Sequence, residues 1–215
     1  MNSKCIIMLA FLLNSCANNI YNELGSIISD MFSNEDISQE EINKIPYASL
    51  QMKIGRSPFS LIVLEEDLGD SLKWTSSNLI KIYTKNGKII KFSGIDNELV
   101  SLQMDPNNPL LTGILTDSTD EDLTAFYTFR NPDLFDMPIK SNFKFLSEEE
   151  IIYLEEKILV NKFIEKSYEN LIRWNFENLY WINPVNNEVI KSIQNITPKN
   201  PRIEYKITRE YKKPD

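Results

Sequence analysis

The 215-residue chain contains no histidine, and its two cysteines both fall within the first sixteen residues. The first absence removes histidine-based triads, zinc sites of the H-E-x-x-H kind and most general-base schemes. The second leaves Cys16 as the last thiol, so no disulfide can form in the chain beyond it. Glycine is also scarce, with six residues and no Gly-rich phosphate loop. Basic charge is in deficit: 23 Lys and Arg stand against 31 Asp and Glu, a net of −8. That balance argues against nucleic acid, whose binding relies on neutralising phosphates, and against a polybasic membrane contact. Finally, no apolar run approaches the roughly 20 residues that a membrane-spanning helix needs.

What is present begins at the N-terminus. Lys4 precedes a nine-residue apolar run, Cys5 to Leu13, which has the length of a signal-peptide core. Leu13, Asn14, Ser15 and Cys16 follow in the pattern of a bacterial lipobox, with Asn14 a less usual middle residue. The expectation is cleavage between Ser15 and Cys16 and acylation of the Cys16 sulfur. Residues 1–15 are then a signal peptide, and residues 16–215 are one β-rich domain, held to the membrane by its acylated first residue. Cleavage removes one positive charge, Lys4, and takes the net from −8 to −9. Ala17 is not the aspartate that commonly signals inner-membrane retention, which favours the outer membrane, facing the periplasm.

Ile20, Tyr21, Leu24, Ile27, Ile28, Met31 and Phe32 recur at helical spacing, so an amphipathic helix is predicted over about 19–32. Its polar face carries Glu23 and Asp30 and no lysine, so its stripe is expected to pack on the domain rather than on lipid. Only a few residues separate Cys16 from Ile20, a span of at most about 14 Å. The domain should therefore sit near the membrane.

Beyond Pro46 the period changes to that of strands. Tyr47 to Ile54 reads as one, and Phe59 to Leu64, apolar on both parities, reads as a central strand covered on both faces. Leu79 to Thr84 and Lys88 to Phe92 flank Asn86-Gly87, a strong hairpin signal. A two-residue loop there would oppose Tyr83 to Ile90, Lys81 to Phe92, and Lys85 to Lys88 at an exposed tip. Leu123 to Arg130 alternates as a strand with one wet face. Trp174 to Ile182 and Glu188 to Ile193 form a second hairpin, and Ile203 to Thr208 a last strand. Ser147 to Leu159 is a conflict. Ser147 and Glu150 make a capping box, and Ile151, Leu154 and Ile158 keep helical spacing.

These features recur together elsewhere. The lipobox, Asp36-Ile37-Ser38, Ile45-Pro46-Tyr47-Ala48-Ser49-Leu50, Lys73-Trp74 ahead of Asn86-Gly87, and Trp174, Phe176, Tyr180-Trp181 with Asn187-Glu188-Val189 occur in that order. The chain so resembles the YjbF family of bacterial lipoproteins, the GfcB-like lipoproteins of group-four capsules, over nearly its whole mature length. The resemblance implies a mostly antiparallel β fold, a large curled sheet or open barrel-like domain with a short N-terminal helix. It also implies an outer-membrane anchor and a non-catalytic role around capsule or exopolysaccharide secretion. Related chains look β-like across the disputed segment, so Glu150 to Glu165 is expected to be a hairpin turning near Glu155-Glu156-Lys157. No catalytic residue and no cofactor come with the resemblance.

Possible partners are polysaccharide or proteins of the secretion machinery. Among the three tryptophans, Trp174 shares parity with Phe176, Tyr180 and Ile182 on the expected core face. Trp181 falls on the other parity, among Asn175, Glu177 and Leu179, and Trp74 is expected in or near a loop. Trp74 and Trp181 are therefore the glycan-contact candidates, although both could equally be packing residues. Two other readings stay open: a glycan-modifying enzyme built on two carboxylates, and an acyl-chain carrier. The first would show clustered carboxylates with raised pKa in a cleft, the second a dry apolar cavity. Asp117, Asp120 and Asp122 lack the order of a calcium loop and read as a solvated acidic loop. No metal site is expected.

Overall fold

The computed structural model describes residues 37–115, 118–119 and 122–212. Cys16, the 19–32 helix, Asp117 and Asp120 lie outside these residues. The unit described below comprises Asp36–Gly55 and Phe59–Asp215. It opens with a one-turn helix, α1 (Gln39–Asn43), whose N-cap Ser38 and Glu41 form a reciprocal capping box.

Twelve antiparallel strands follow: β1 (Ser49–Ile54), β2 (Ser60–Asp67), β3 (Leu72–Ser76), β4 (Lys81–Lys85), β5 (Lys88–Ser93), β6 (Glu98–Gln103), β7 (Leu123–Arg130), β8 (Leu134–Tyr153), β9 (Glu156–Glu169), β10 (Trp174–Ile182), β11 (Val189–Gln194) and β12 (Ile203–Arg209). A short helix, α2 (Pro109–Thr112), interrupts the connection between β6 and β7. Each strand pairs with its neighbour in sequence, and β1 pairs with β12. The curled sheet thus closes into an up-and-down barrel.

The core lies inside. Leu50, Ile62, Ile82, Phe92, Leu99, Phe129, Ile139 and Tyr205, from eight different strands, meet in one buried cluster. The outer wall carries charge, for example Glu204 between Lys53 at 3.2 Å and Lys191 at 2.9 Å, and Lys73 on Glu65 at 2.7 Å. A lipid-spanning barrel has the opposite polarity, with an apolar band outside. This wall faces water. For the same reason β2 is not covered on both faces: only Ile62 of Leu61–Leu64 is fully buried.

The interior is not wholly apolar. The β4–β5 hairpin turns at Asn86 and Gly87, both at positive φ (47° and 80°), as a two-residue primed turn requires. Gly87 is needed for a second reason, because a Cβ there would lie 2.3 Å from the Cβ of Val189. Asn86 is exposed at the tip, but Gly87 is tied to other strands. Gly87 carbonyl accepts from Tyr205 Oη at 2.6 Å and from Gln194 Nε2 at 2.8 Å, which ties β5 to β11 and β12 across the lumen. A bulge between Tyr83 and Thr84 shifts the expected register, so Tyr83 opposes Lys91 and Lys81 opposes Ser93. Lys85 does oppose Lys88, but each has its own carboxylate: Lys85 bonds Asp70 at 2.8 Å, and Lys88, buried, bonds Glu165 on β9.

The disputed 147–165 segment is β-hairpin. β8 and β9 run 20 and 14 residues, and their upper halves extend as a flap. The register shifts between Phe145 and Ser147, leaving Leu146 as the extra residue. Below it, odd residues of β8 such as Ile139 and Phe143 belong to the buried clusters. Above it, odd residues Ile151 and Tyr153 pack on the outer wall, with Val160, Ile158, Trp181 and Ile190. Burial of those side chains explains why pairing overrides the local helix signal. The opposite face of the flap leaves Ile152 and Leu159 exposed.

The flap turns at Leu154-Glu155, one residue earlier than the sequence suggests. Both residues have positive φ, 49° and 69°. Neither side chain suits that conformation, which costs an L-residue about 1–2 kcal/mol. Changing the pair to Asn-Gly (Leu154→Asn with Glu155→Gly) is expected to raise stability by about 1 kcal/mol and the melting temperature by about 2–4 °C. A thermal melt in which the double variant melts lower would show that Leu154 packing outweighs turn strain.

Candidate functional site

One end of the barrel opens into a cleft of ≈690 Å³. Three segments build it. The end of β2 and the turn after it supply Asp67 and Asp70, the β4–β5 tip supplies Asn86, and the β10–β11 connection supplies Asn186, Asn187 and Glu188. α2 closes one side. Its N-cap Asn108 accepts from Leu110 N–H at 3.0 Å, and Asn86 Nδ2 donates to Leu110 carbonyl at 2.7 Å, so helix and hairpin tip are joined. Gly113 ends α2 in the left-handed conformation.

The lining is mixed. Trp74, Leu50 and Tyr205 form the inner wall, with carboxylates and amides nearer the mouth. Asp67 accepts from Gly69 N–H at 2.8 Å and from Tyr211 Oη at 2.9 Å. Glu188 accepts from Asn186 Nδ2 at 2.7 Å, and Glu210 from Tyr153 Oη at 2.9 Å. The Lys85 hydrogen bond holds the Asp70 carboxyl below its ordinary value, with Ser71 assisting. That direction is the reverse of what a carboxylic acid catalyst needs. Four carboxylates also make the cleft a poor sleeve for an acyl chain.

The structure separates the two candidate tryptophans. Trp74 lies in the middle of β3, not in a loop, and is 3% exposed. Its Nε1 donates to Thr84 at 2.9 Å, and the ring forms part of the cleft wall. Trp181 is on the outer parity, as read, but is covered by the flap and 6% exposed. Its Nε1 donates to Glu149 Oε2 at 2.7 Å, Lys162 donates to Glu149 Oε1 at 2.8 Å, and Lys162 and Lys191 lie 4.8 and 4.9 Å from the ring centre. The hydrogen bonds from Lys162 and then Trp181 hold the Glu149 carboxyl low. Neither indole offers an open face, which corrects the expectation of an exposed groove at Trp181. What the sequence could not reveal is the flap that covers it.

Asp122, from the acidic loop, accepts from Tyr168 Oη at 2.7 Å. Among the described residues no group of three or more acidic, cysteine or histidine side chains is placed to hold a metal ion.

A second cleft of ≈740 Å³ lies beyond the mouth, against Asn43, Tyr47, Leu64 and Leu154. Glu210 and Tyr211 line both clefts. Tyr47 is 64% exposed.

Residues 21–208 match the family described as group 4 capsule polysaccharide lipoprotein GfcB, YjbF. The chain belongs to this family. A YjbF-family relative, the uncharacterized lipoprotein GfcB of Escherichia coli K12, is 18% identical over 196 residues, which cover 90% of this chain and 92% of the relative. The crystal structure of the hypothetical lipoprotein YmcC from Escherichia coli K12 superposes with a TM-score of 0.71 at 17% identity, over 89% of this chain and 95% of that one. The barrel is therefore a fold that this YjbF-family chain shares with YmcC.

Proposed function

We propose that this YjbF-family lipoprotein is acylated on Cys16 and held on the outer membrane, facing the periplasm. There it assists secretion of a capsule or exopolysaccharide without catalysis, by binding glycan or a partner of the secretion machinery. The observation that carries the reading is the family match over residues 21–208, behind a lipobox at residues 13–16. Three features support it. The charged outer wall keeps the barrel in water, so attachment falls to the acyl chains. Ala17 suits outer-membrane sorting. The mouth cleft combines aromatic wall, amides and carboxylates, which suits a polyhydroxylated ligand better than an apolar one. Trp74 is the glycan candidate that remains at the cleft, as a wall residue.

Mass spectrometry of the mature protein is expected to show a diacyl or triacyl addition on Cys16, and Cys16→Ala to leave an uncleaved or water-soluble product. An unmodified Cys16, or a mature start elsewhere, would overturn the anchor. For the role in secretion, pull-down from detergent-solubilised envelope should retain secretion-machinery proteins or polysaccharide. Recovery of neither would count against it.

A further inference from the structure

The reading above leaves the chemistry of the ligand open, and the inference here rests on that reading. The two clefts at the barrel mouth meet at Glu210 and Tyr211. Each alone, at ≈690 and ≈740 Å³, lies within the size range of a pocket for one small ligand. Joined at a common rim they make a trough that starts inside the barrel at Trp74, crosses the rim at Tyr211 and ends outside at Tyr47. That shape fits an extended oligomer rather than a compact molecule.

Two aromatic rings are spaced along the path, Tyr211 on the rim and Tyr47 exposed at the outer end, with the almost fully buried Trp74 behind the inner wall. Ring faces of this kind take up the apolar C–H face of a sugar. The inner cleft adds Thr84, Asn86, Asn186 and Asn187, whose hydroxyl and amide groups match sugar hydroxyls. An extended peptide would gain most from an open strand edge, and the barrel strands at this mouth are already paired on both sides.

The charge narrows the class further. Among the described residues, the inner cleft is lined by the carboxylates Asp67, Asp70, Glu188 and Glu210 and by no lysine or arginine, whereas Arg209 and Lys212 accompany Glu155 and Glu210 in the outer cleft, so selection by charge falls to the inner one. Lys85 reaches Asp70 from outside the lining. Glu188 and Glu210 are hydrogen-bonded by neutral donors, Asn186 and Tyr153, which leave their charge in place. A polymer of uronic acids or phosphates entering this mouth would meet like charge at close range. An ammonium group would meet these carboxylates and could lie on the face of Tyr211 or Tyr47.

We propose that the joined clefts are a binding trough for an extended saccharide whose sugars are uncharged or carry amino groups, and that Glu188 and Glu210 make its inner half reject acidic sugars.

The test uses the full acylated chain in neutral detergent and three tetrasaccharides: one of glucosamine, its N-acetylated form, and one of galacturonic acid. Calorimetry is expected to show the glucosamine tetramer binding most tightly, with affinity falling as salt is raised, the N-acetylated form binding more weakly, and the galacturonate not binding. Glu210→Gln and Glu188→Gln should each weaken the glucosamine tetramer several-fold and leave the N-acetylated form unchanged, while Tyr47→Ala should weaken both. Asp133→Asn and Glu148→Gln, exposed and outside both clefts, should change neither.

Galacturonate binding as tight as glucosamine, sensitive to Tyr47→Ala, would overturn the charge selection and leave a saccharide trough standing. Equal losses from Asp133→Asn and Glu188→Gln would mean diffuse attraction of a polycation to an acidic protein, and would overturn the proposal. Binding of none of the three would overturn the trough as a saccharide site. The anchor and a protein partner would still be judged by the mass and pull-down measurements above.

Discussion

Replacing Lys88 by methionine is expected to destabilise the barrel by about 3–5 kcal/mol, the cost of leaving one member of a buried ion pair alone. For a domain of this size that corresponds to a fall in melting temperature on the order of 10 °C. Lys88 and Glu165 are both almost fully buried, on strands that face each other across the lumen. Glu165 Oε2 also accepts from Asn178 Nδ2 at 2.7 Å and Tyr180 Oη at 2.8 Å. Burial alone would push this carboxyl up. The Lys88 charge, with the hydrogen bonds from Asn178, Lys88 and Tyr180, outweighs burial and holds it below its ordinary value.

A carboxyl with a depressed folded pKa contributes stability above its unfolded value, near 4.5, and loses it as pH falls through the lower folded value. In Lys88→Met, burial is no longer opposed by the ammonium, and the carboxyl should bind its proton more readily than in the unfolded chain. The deficit of the variant should therefore narrow as pH is lowered from neutral towards 4. Adding Glu165→Gln should recover much of the loss at neutral pH, because the amide keeps an acceptor for Tyr180 and Asn178 without a charge. Thermal melts of the parent and the two variants across pH decide this. A Lys88→Met loss under about 1 kcal/mol would mean that water or a neutralised carboxyl already relieves the pair.

Trp181→Ala is expected to cost about 3–5 kcal/mol, as deletion of a packed tryptophan does, and to free the flap in particular. The indole is the central contact between flap and outer wall, packed with Tyr153, Val160 and Ile190 and bonded to Glu149. Its loss leaves Ile151, Tyr153 and Ile158 over a cavity, while the interior clusters keep their contacts. Two measurements separate this from general loosening. The melting temperature should fall, and amide exchange should rise most in 147–160 rather than in β1–β5. A variant that melts within a few degrees of the parent would show that Trp181 is a replaceable surface ring.

The β architecture was legible where one face is wet. β12 alternates over 203–207, and β7 does so apart from the exposed outward Phe126, with apolar side chains inward and mostly charged or hydroxylated ones outward, and the Asn86-Gly87 turn carried its own backbone signature. Closure was not legible, because the β1–β12 pair joins residues far apart in sequence and no local pattern encodes it. β3 was missed because Leu72 to Ser76 is short, with Lys73 and Thr75 outside and only Trp74 deeply buried between them. The flap was uncertain because Leu146 inserts one residue and inverts the faces of β8, so that the segment keeps helical as well as strand spacing. The burial of Lys88 could not be anticipated. A lysine after Asn-Gly reads as the foot of a solvated turn until Glu165, 77 residues later, is brought across from β9. The mouth cleft likewise draws Asp67 from the end of β2, Asn86 and Glu188 from two separate connections and Tyr211 from beyond β12, and none is distinctive alone.

The closed wall also governs what crowding can do to this protein. Chains tethered side by side on a membrane meet one another often, and an open strand edge would invite them to add strands to one another. A sheet joined end to end offers no such template. Among the described residues, the pairing of β8 above Leu146 is with β9 alone, so the flap is where an unpaired edge survives. Glu148, Glu149 and Glu150 stand in succession along that edge, and two meeting flaps would bring like charges together. The arrangement should keep neighbouring copies from zippering, and it restricts strand-adding partners to those that bring positive charge to the flap.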